Sequence, residues 1–228
     1  MLVAGNNADL YEAVLGGHGI PTRRGRGALI VTDTPLPYYS QVVTLDRAAG
    51  TADRDMPRPC AVKDSFASLG LAPDGFDILF EARWIWREAT GERAMPEGWV
   101  RVTEPTDLAA WERAWKANGS PTDRAMFLSA HLEDSRLGFF GRRAGDGADF
   151  ESGCIGNRSA ECVGLSNVFG RSPDAFAEAA AVVERFGGGL PVVGYEAGEA
   201  LDHAMRAGFE DVGPLRVWVS REPDRAVQ

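Results

Sequence analysis

From Glu161 to Phe186 the chain reads ECVGLSNVFGRSPDAFAEAAAVVERF, and no other stretch restricts its fold as tightly. The first half, Glu161 to Phe169, has the small and β-branched character of a buried strand. The second half is helical: Ser172 stands as N-cap, Pro173 at the first helical position, and Gly187, Gly188 and Gly189 stop the helix after Phe186. Leu190 to Tyr195 is then a short buried strand. A helix of this length between two strands is the crossover that parallel pairing requires. The turn between strand and helix, Gly170 to Asp174, directs N–H groups outward from the helix start, an arrangement that often holds a phosphate.

The segments before and after extend this pattern. Trp99 to Val102 reads as a strand, and Thr106 caps a helix whose stripe is Leu108, Trp111 and Trp115. Another helical segment is expected over Arg124 to Leu128. Leu137 to Arg142, Phe150 to Gly156 and Glu161 to Phe169 form a strand meander. After the strand at Leu190, a helix over Glu199 to Ala207 ends at Gly208, and Leu215 to Val219 is the final strand.

Toward the N-terminus, a helix with an Asn cap is expected over Asn6 to Leu15, then strands at Ala28 to Val31 and Tyr38 to Leu45. Asp46 to Pro59 reads as a loop and Val62 to Leu69 as a short helix. Phe76 to Arg87 is the cleanest strand signal in the chain, with Phe76, Ile78, Phe80, Ala82, Trp84 and Trp86 on one face and Asp77, Glu81, Arg83 and Arg87 on the other. That face either packs on a helix or lines a groove. Ala89 to Gly98, charged and containing Gly91, Pro96 and Gly98, divides the chain into residues 1–95, an α/β subdomain, and residues 96–228. The fold class is α/β (α+β): a mixed, mostly antiparallel central sheet flanked by helices.

Composition narrows the function. A formal charge of −9 argues against nucleic acid or an anionic membrane as partner. No run approaches the ~20 apolar residues of a membrane span, and Met1 to Gly5 is not a signal peptide, so a cytoplasmic protein is expected. Cys60, Cys154 and Cys162 have no CxxC spacing and read as reduced thiols. Cys154 and Cys162 flank a hairpin turn, which leaves open that they face each other across strands. The histidines His18, His131 and His203 are scattered and define no metal site.

The element order from Trp99 to Val219, with Ala204-Met205-Arg206-Ala207-Gly208-Phe209-Glu210 near its end, resembles the GNAT superfamily of acyl-CoA-dependent N-acetyltransferases. The resemblance implies that Glu151 to Phe169 is the family's central hairpin and Phe169 to Phe186 its cofactor turn and helix. Acetyl-CoA would then lie where the central strands splay apart, with Asn167, Val168 and Phe169 along its pantetheine arm. Gly170, Arg171 and Ser172 would stand at its pyrophosphate. The sequence departs from the family's glycine-rich pattern there: Pro173, Asp174 and Phe176 stand where bare backbone is usual, so the pyrophosphate loop is degenerate. The usual tyrosine four residues before the Gly-Phe phenylalanine is replaced by Ala204.

The candidates carried over for proton transfer are Tyr195 as acid and Glu151 or Glu161 as base. The function so implied is N-acetyl transfer from acetyl-CoA to a small-molecule or peptide amine. Two alternatives stand beside it. One is a catalytically inactive binding or regulatory module of the same fold. The other is a scaffold that forms a homodimer through the aromatic strand. A loose echo between Val62 to Arg87 and the C-terminal helix–Gly-Phe–strand order marks the N-terminal segment as a candidate partial duplicate.

Overall fold

The alternating segment Phe76–Arg87 forms a single twelve-residue strand, and the rest of the architecture is arranged around it. The computed structural model describes residues 2–48, 60–91, 94–145, 147 and 149–221. In chain order these form α1 (Leu2–Gly17), β1 (Thr22–Arg24), β2 (Ala28–Val31), β3 (Val42–Thr44), β4 (Ala61–Asp64) and β5 (Phe76–Arg87). Then come β6 (Trp99–Val102), α2 (Pro105–Ala117), α3 (Ala130–Glu133), β7 (Leu137–Arg143), β8 (Phe150–Arg158) and β9 (Val163–Gly170). The last elements are α4 (Ala175–Gly187), β10 (Val192–Glu196), α5 (Gly198–Arg206) and β11 (Glu210–Ser220).

All the strands join one sheet in the order β1-β2-β3-β4-β11-β5-β10-β9-β8-β7-β6. The expected meander β7-β8-β9 is antiparallel, and β9 and β10 are parallel across the α4 crossover. The unexpected feature is an exchange. β5 lies between β10 and β11, and β11 lies between β5 and β4, so each sequence segment sends a strand into the other. A parallel pair flanks the exchange on either side, β3 with β4 and β9 with β10.

Helices α1 and α2 cover one face, where Trp111, Phe127, Phe139 and Phe169 pack edge-to-face. Helices α4 and α5 cover the other, where Phe176, Ala179, Val183 and Ala204 meet Ile85, Cys154 and Leu165. Trp84 is 1% exposed and donates from Nε1 to the Ser65 carbonyl at 2.8 Å. The aromatic strand is therefore core at Ala82, Trp84 and Ile85, whereas Ile78 and Leu79 are exposed at 48% and 58%. A buried ion pair closes the exchange: Arg87 on β5 meets Glu184 on α4 at 3.0 Å, and Thr90 Oγ1 donates to the same carboxylate.

Helix α1 begins at Leu2, so Asn6 and Asn7 lie inside it instead of capping it. Asparagine is a weak helix former, but tertiary hydrogen bonds outweigh that. Asn6 Nδ2 donates to the Asn157 carbonyl and Asn157 Nδ2 to the Asn6 carbonyl, both at 3.0 Å. The helix comes this close because Gly164 has no side chain; a Cβ there would stand 2.2 Å from Asn6 Oδ1.

Several sequence expectations are corrected. Val62 to Leu69 is not a helix: Ala61–Asp64 is strand β4, held between β3 and β11. The strand expected over Tyr38 to Leu45 is confined to Val42–Thr44, and Tyr38 has a φ of 69°. Arg124 to Leu128 is not helical; Glu112 accepts from the Met126 and Phe127 N–H groups and holds this segment against α2. α2 begins at Pro105 with Glu104, not Thr106, as its N-cap. Cys154 lies under α4 and Cys162 under α1, in different core clusters, so they do not face each other; both are free and buried. Of the loop read over 46–59, residues 49–59 lie outside the described residues, as do residues 92 and 93 of the join.

Residues 96–221 produced alone would leave β10 and β11 without the strand between them. The expected outcome is no cooperative thermal transition, restored by co-expression of residues 2–91. A cooperative melt of the isolated segment at the temperature of the full chain would contradict the importance of the exchange.

Candidate functional site

The two parallel strands β9 and β10 pair only at Val163 with Val192 and Gly164 with Val193. Beyond that point they diverge, because each follows a different neighbour. β10 stays in register with β5 to its end, Glu196 opposite Arg83. β9 stays with β8, but between Ser166 and Phe169 it carries extra residues against Cys154, a bulge in which Asn167 adopts a φ of 53°. Bulges bend the strand that bears them. At the parting point, a Cβ on Gly194 would stand 2.7 Å from the Leu165 carbonyl oxygen. Glycine there sets how closely the strands meet before they separate.

The separation opens a cleft of about 270 Å³. Leu165, Ser166, Asn167 and Val168 line it from β9, and Tyr195 and Glu196 from β10. Asn7, Leu10 and Tyr11 of α1, Tyr38, Tyr39, Lys63 of β4, Trp115 and Ser120 complete the wall. Tyr38 is fixed by its hydroxyl donating to the Pro121 carbonyl at 2.7 Å and by edge contact with Trp115. The cleft is thus built by both sequence segments.

Its electrostatics are unusual at two places. Lys63 is 2% exposed, its Nζ donating to Asn7 Oδ1 at 3.1 Å and standing 4.3 Å from the Tyr195 ring centre and 5.1 Å from that of Tyr11. Burial pulls this ammonium toward neutrality, but the Tyr11 and Tyr195 phenols attract and hydrogen-bond it and hold it above its ordinary value. It is a cation at neutral pH. Burial, aided by Tyr11 and Tyr195, pushes the Tyr39 phenol up, so it stays a neutral donor. Glu196 has no hydrogen bond or ion pair among the described residues, and burial alone raises its carboxyl from 4.5 to about 7. A carboxyl poised near neutrality and open to a cleft is suited to take a proton.

The structure brings some of the sequence candidates together and separates others. Tyr195, Asn167 and Val168 line the cleft. Phe169 does not line the cleft; it packs into the neighbouring core beneath α2, 5.2 Å from Trp111. Arg171, Ser172 and Glu151 line a second depression of about 410 Å³ with Arg142 and Ser152, and Glu151 is paired with Arg142 at 2.9 Å. Gly170, at the end of β9, packs against Ser152 and Ala175. Glu161 is exposed in the turn between β8 and β9, at the end of β9 away from the bulge.

The turn before α4 also differs from expectation. The helix starts at Ala175 with Asp174 at the cap, two residues later than Pro173. Ser172 accepts from the Asp174 N–H through Oγ at 3.2 Å and from the Ala175 N–H through its carbonyl at 3.1 Å. Phe176 does not occupy phosphate space: it is buried, edge-on to Phe209 at 5.7 Å.

Sequence reasoning missed Lys63, Asn7, Tyr11 and Glu196. Reading Val62 to Leu69 as a helix gave Lys63 no place in the sheet. The signal that could have found Glu196 was its place directly after Tyr195, at the end of the strand that was expected to splay.

Among solved structures, a Drosophila protein from structural genomics matches with a TM-score of 0.60 and 11% identity, over 97% of this chain and 90% of that one. A protein of Novosphingobium aromaticivorans assigned to the GNAT acetyltransferase family matches with a TM-score of 0.54 and 14% identity, over 93% and 97%. The Saccharomyces cerevisiae N-myristoyltransferase solved with bound myristoyl-CoA matches with a TM-score of 0.51 and 8% identity, over 70% of this chain and 53% of that enzyme. The fold is the GNAT fold, as the resemblance implied. No family model matches the chain, and no curated protein matches it in sequence. No helix among the described residues is long and apolar enough to cross a membrane.

Replacing Gly194 with Val places side-chain carbons against the Leu165 carbonyl and the Ile85 side chain. The expected outcome is a melting temperature lowered by several degrees, equivalent to roughly 1–3 kcal/mol of overpacking. An unchanged melting temperature would show that the strands meet less tightly than 2.7 Å implies.

Proposed function

We propose that the protein is an acyl-CoA-dependent N-acyltransferase, acting with acetyl-CoA on a small amine held in the cleft between β9 and β10. The observation that carries this reading is Glu196: an unpartnered carboxyl, raised to about 7, at the mouth of the strand separation. The fold supports it as an analogy only.

In this reading Asn167 and Val168 lie along the pantetheine arm, and Arg171 with Ser172 stands at the pyrophosphate, next to the first turn of α4. Because Phe176 is turned into the core, the obstacle to a phosphate at this turn reduces to Pro173 and the exposed Asp174. Glu196 takes a proton from the acceptor ammonium. The neutral amine attacks the thioester carbonyl, forming the C–N bond, and the developing oxyanion is met by backbone N–H near the β9 bulge. The C–S bond then breaks, and the departing thiolate receives a proton from the Tyr195 hydroxyl, which is replenished by the proton the nitrogen loses. Lys63 stands against that ring, its Nζ 4.3 Å from the ring centre. The net change is acyl-CoA plus amine to amide plus CoA.

Two outcomes test this. Acetyl-CoA at millimolar concentration should raise the melting temperature, because a ligand of the native state alone stabilises it by RT ln(1 + [L]/Kd). Arg171→Ala should diminish that rise, and no rise in the parent protein would overturn the reading.

The second test is pH. kcat/KM should increase through about pH 7 as Glu196 loses its proton, and Glu196→Gln should remove that limb with a ~10²–10⁴-fold fall in rate. The same substitution should raise stability above neutral pH. The folded-state value lies above the unfolded 4.5, so the fold favours the protonated form; this advantage is full below pH 4.5 and lost as pH rises through about 7. A Glu196→Gln enzyme with an unchanged pH profile would assign the base elsewhere.

A further inference from the structure

Lys63 is a buried cation among the described residues without a buried anion. The acidic residue beside it in sequence, Asp64, spends its carboxylate on the Phe66 and Leu69 N–H groups at 3.3 and 2.8 Å. No carboxylate lies within ion-pair distance of Lys63 among the described residues; its partners are Asn7 Oδ1 and the rings of Tyr11 and Tyr195. Removing an ammonium from water without a counter-ion is costly, and neutral dipoles offset only part of that cost. The charge nevertheless stands in the wall of a cleft, not in a closed core.

The surrounding groups are those that receive an anion. With Oδ1 of Asn7 turned to Lys63, its Nδ2 has no acceptor among the described residues. Tyr39 contributes a hydroxyl that stays protonated. The same cleft is lined by a group of opposite sign, Glu196, whose carboxyl is raised to about 7 by burial and has no partner among the described residues. The space between, about 270 Å³, admits a compact molecule and excludes a folded surface. A cation and a carboxyl lining one small cleft complement a molecule with a carboxylate and an ammonium.

We propose that the acceptor is a free amino acid or a similarly compact amino carboxylate, its carboxylate held by Lys63 and Asn7 and its amine presented to Glu196. This rests on the acyl-transfer reading for the amine end, while the carboxylate end stands on the cleft alone. The product would be an N-acyl amino acid, with the C–N bond formed and the C–S bond broken as above. Lys63 then positions the acceptor through its anion.

The test uses the full chain and matched ligands: phenylalanine, tyrosine, tryptophan and histidine, each beside its decarboxylated amine and its carboxamide. Binding is read by calorimetry without CoA, and transfer by release of CoA from acetyl-CoA. The expected result is at least one amino acid bound more than tenfold tighter than both its amine and its amide. Lys63→Met should reduce that preference to less than threefold while keeping the acetyl-CoA thermal shift. If no amino acid is preferred, or if folded Lys63→Met keeps the preference, the proposal is overturned. The amides test it in the unsubstituted protein should Lys63→Met fail to fold. Preferential amino-acid binding without any acetyl-CoA shift would support the anion site and remove acyl transfer. An acetyl-CoA shift with amines preferred would do the reverse.

Discussion

Strand β10 is held by two neighbours that diverge, and the site exists because of that. β5 binds it along its whole length, from Val192 to Glu196, whereas β9 binds it for two residues and then bends away at the Asn167 bulge. Had β5 been absent, nothing in the sheet would draw β10 from β9, and the strands could continue as an ordinary parallel pair. The strand that opens the cleft therefore comes from the opposite sequence segment. So do Lys63, Asn7 and Tyr11, which line it. The N-terminal segment is structural and functional at once: it forces the opening and furnishes one wall.

The cleft is also where the structure tolerates electrostatic cost. Elsewhere, buried charges are matched: Arg87 with Glu184, and Glu112 with Lys116 and two N–H groups. In the cleft, among the described residues, Lys63 has no carboxylate partner and the Glu196 carboxyl has no polar partner. Unmatched groups of opposite sign facing one small space are expensive for a fold that has no use for them. Their presence together distinguishes this cleft from the depression near Arg171, where Glu151 and Arg142 already satisfy each other.

Much of the architecture was legible in the chain where its signals are local. The period-two alternation in Phe76 to Arg87, the Gly stop after Phe186 and the Gly208-Phe209 return each depend on neighbouring residues only. What escaped depends on distant ones. Val62-Lys63-Asp64 is a strand because β3 and β11 flank it, and Asn6 is helical because Asn157 answers it. For the same reason the site was half legible. Tyr195, Asn167 and Val168 lie on the elements the resemblance identified, but Glu151 and Glu161, chosen for the hairpin they occupy, stand away from the cleft. Lys63 belongs to a strand whose position no local pattern reveals.

The exchange of β5 and β11 also orders events during synthesis. Every pairing of β5 with β11 joins residues more than 120 positions apart, from Glu210 with Trp86 to Ser220 with Phe76. A ribosome adding about 5–20 residues per second leaves β5 waiting for at least several seconds before β11 exists. During that interval the edge of β5 that β11 occupies is unpaired, beside a β4 that also lacks its β11 neighbour. The sheet can close only from the C-terminal end of the described chain inward, so the nascent protein depends on whatever keeps an unpaired, apolar strand from meeting another copy of itself.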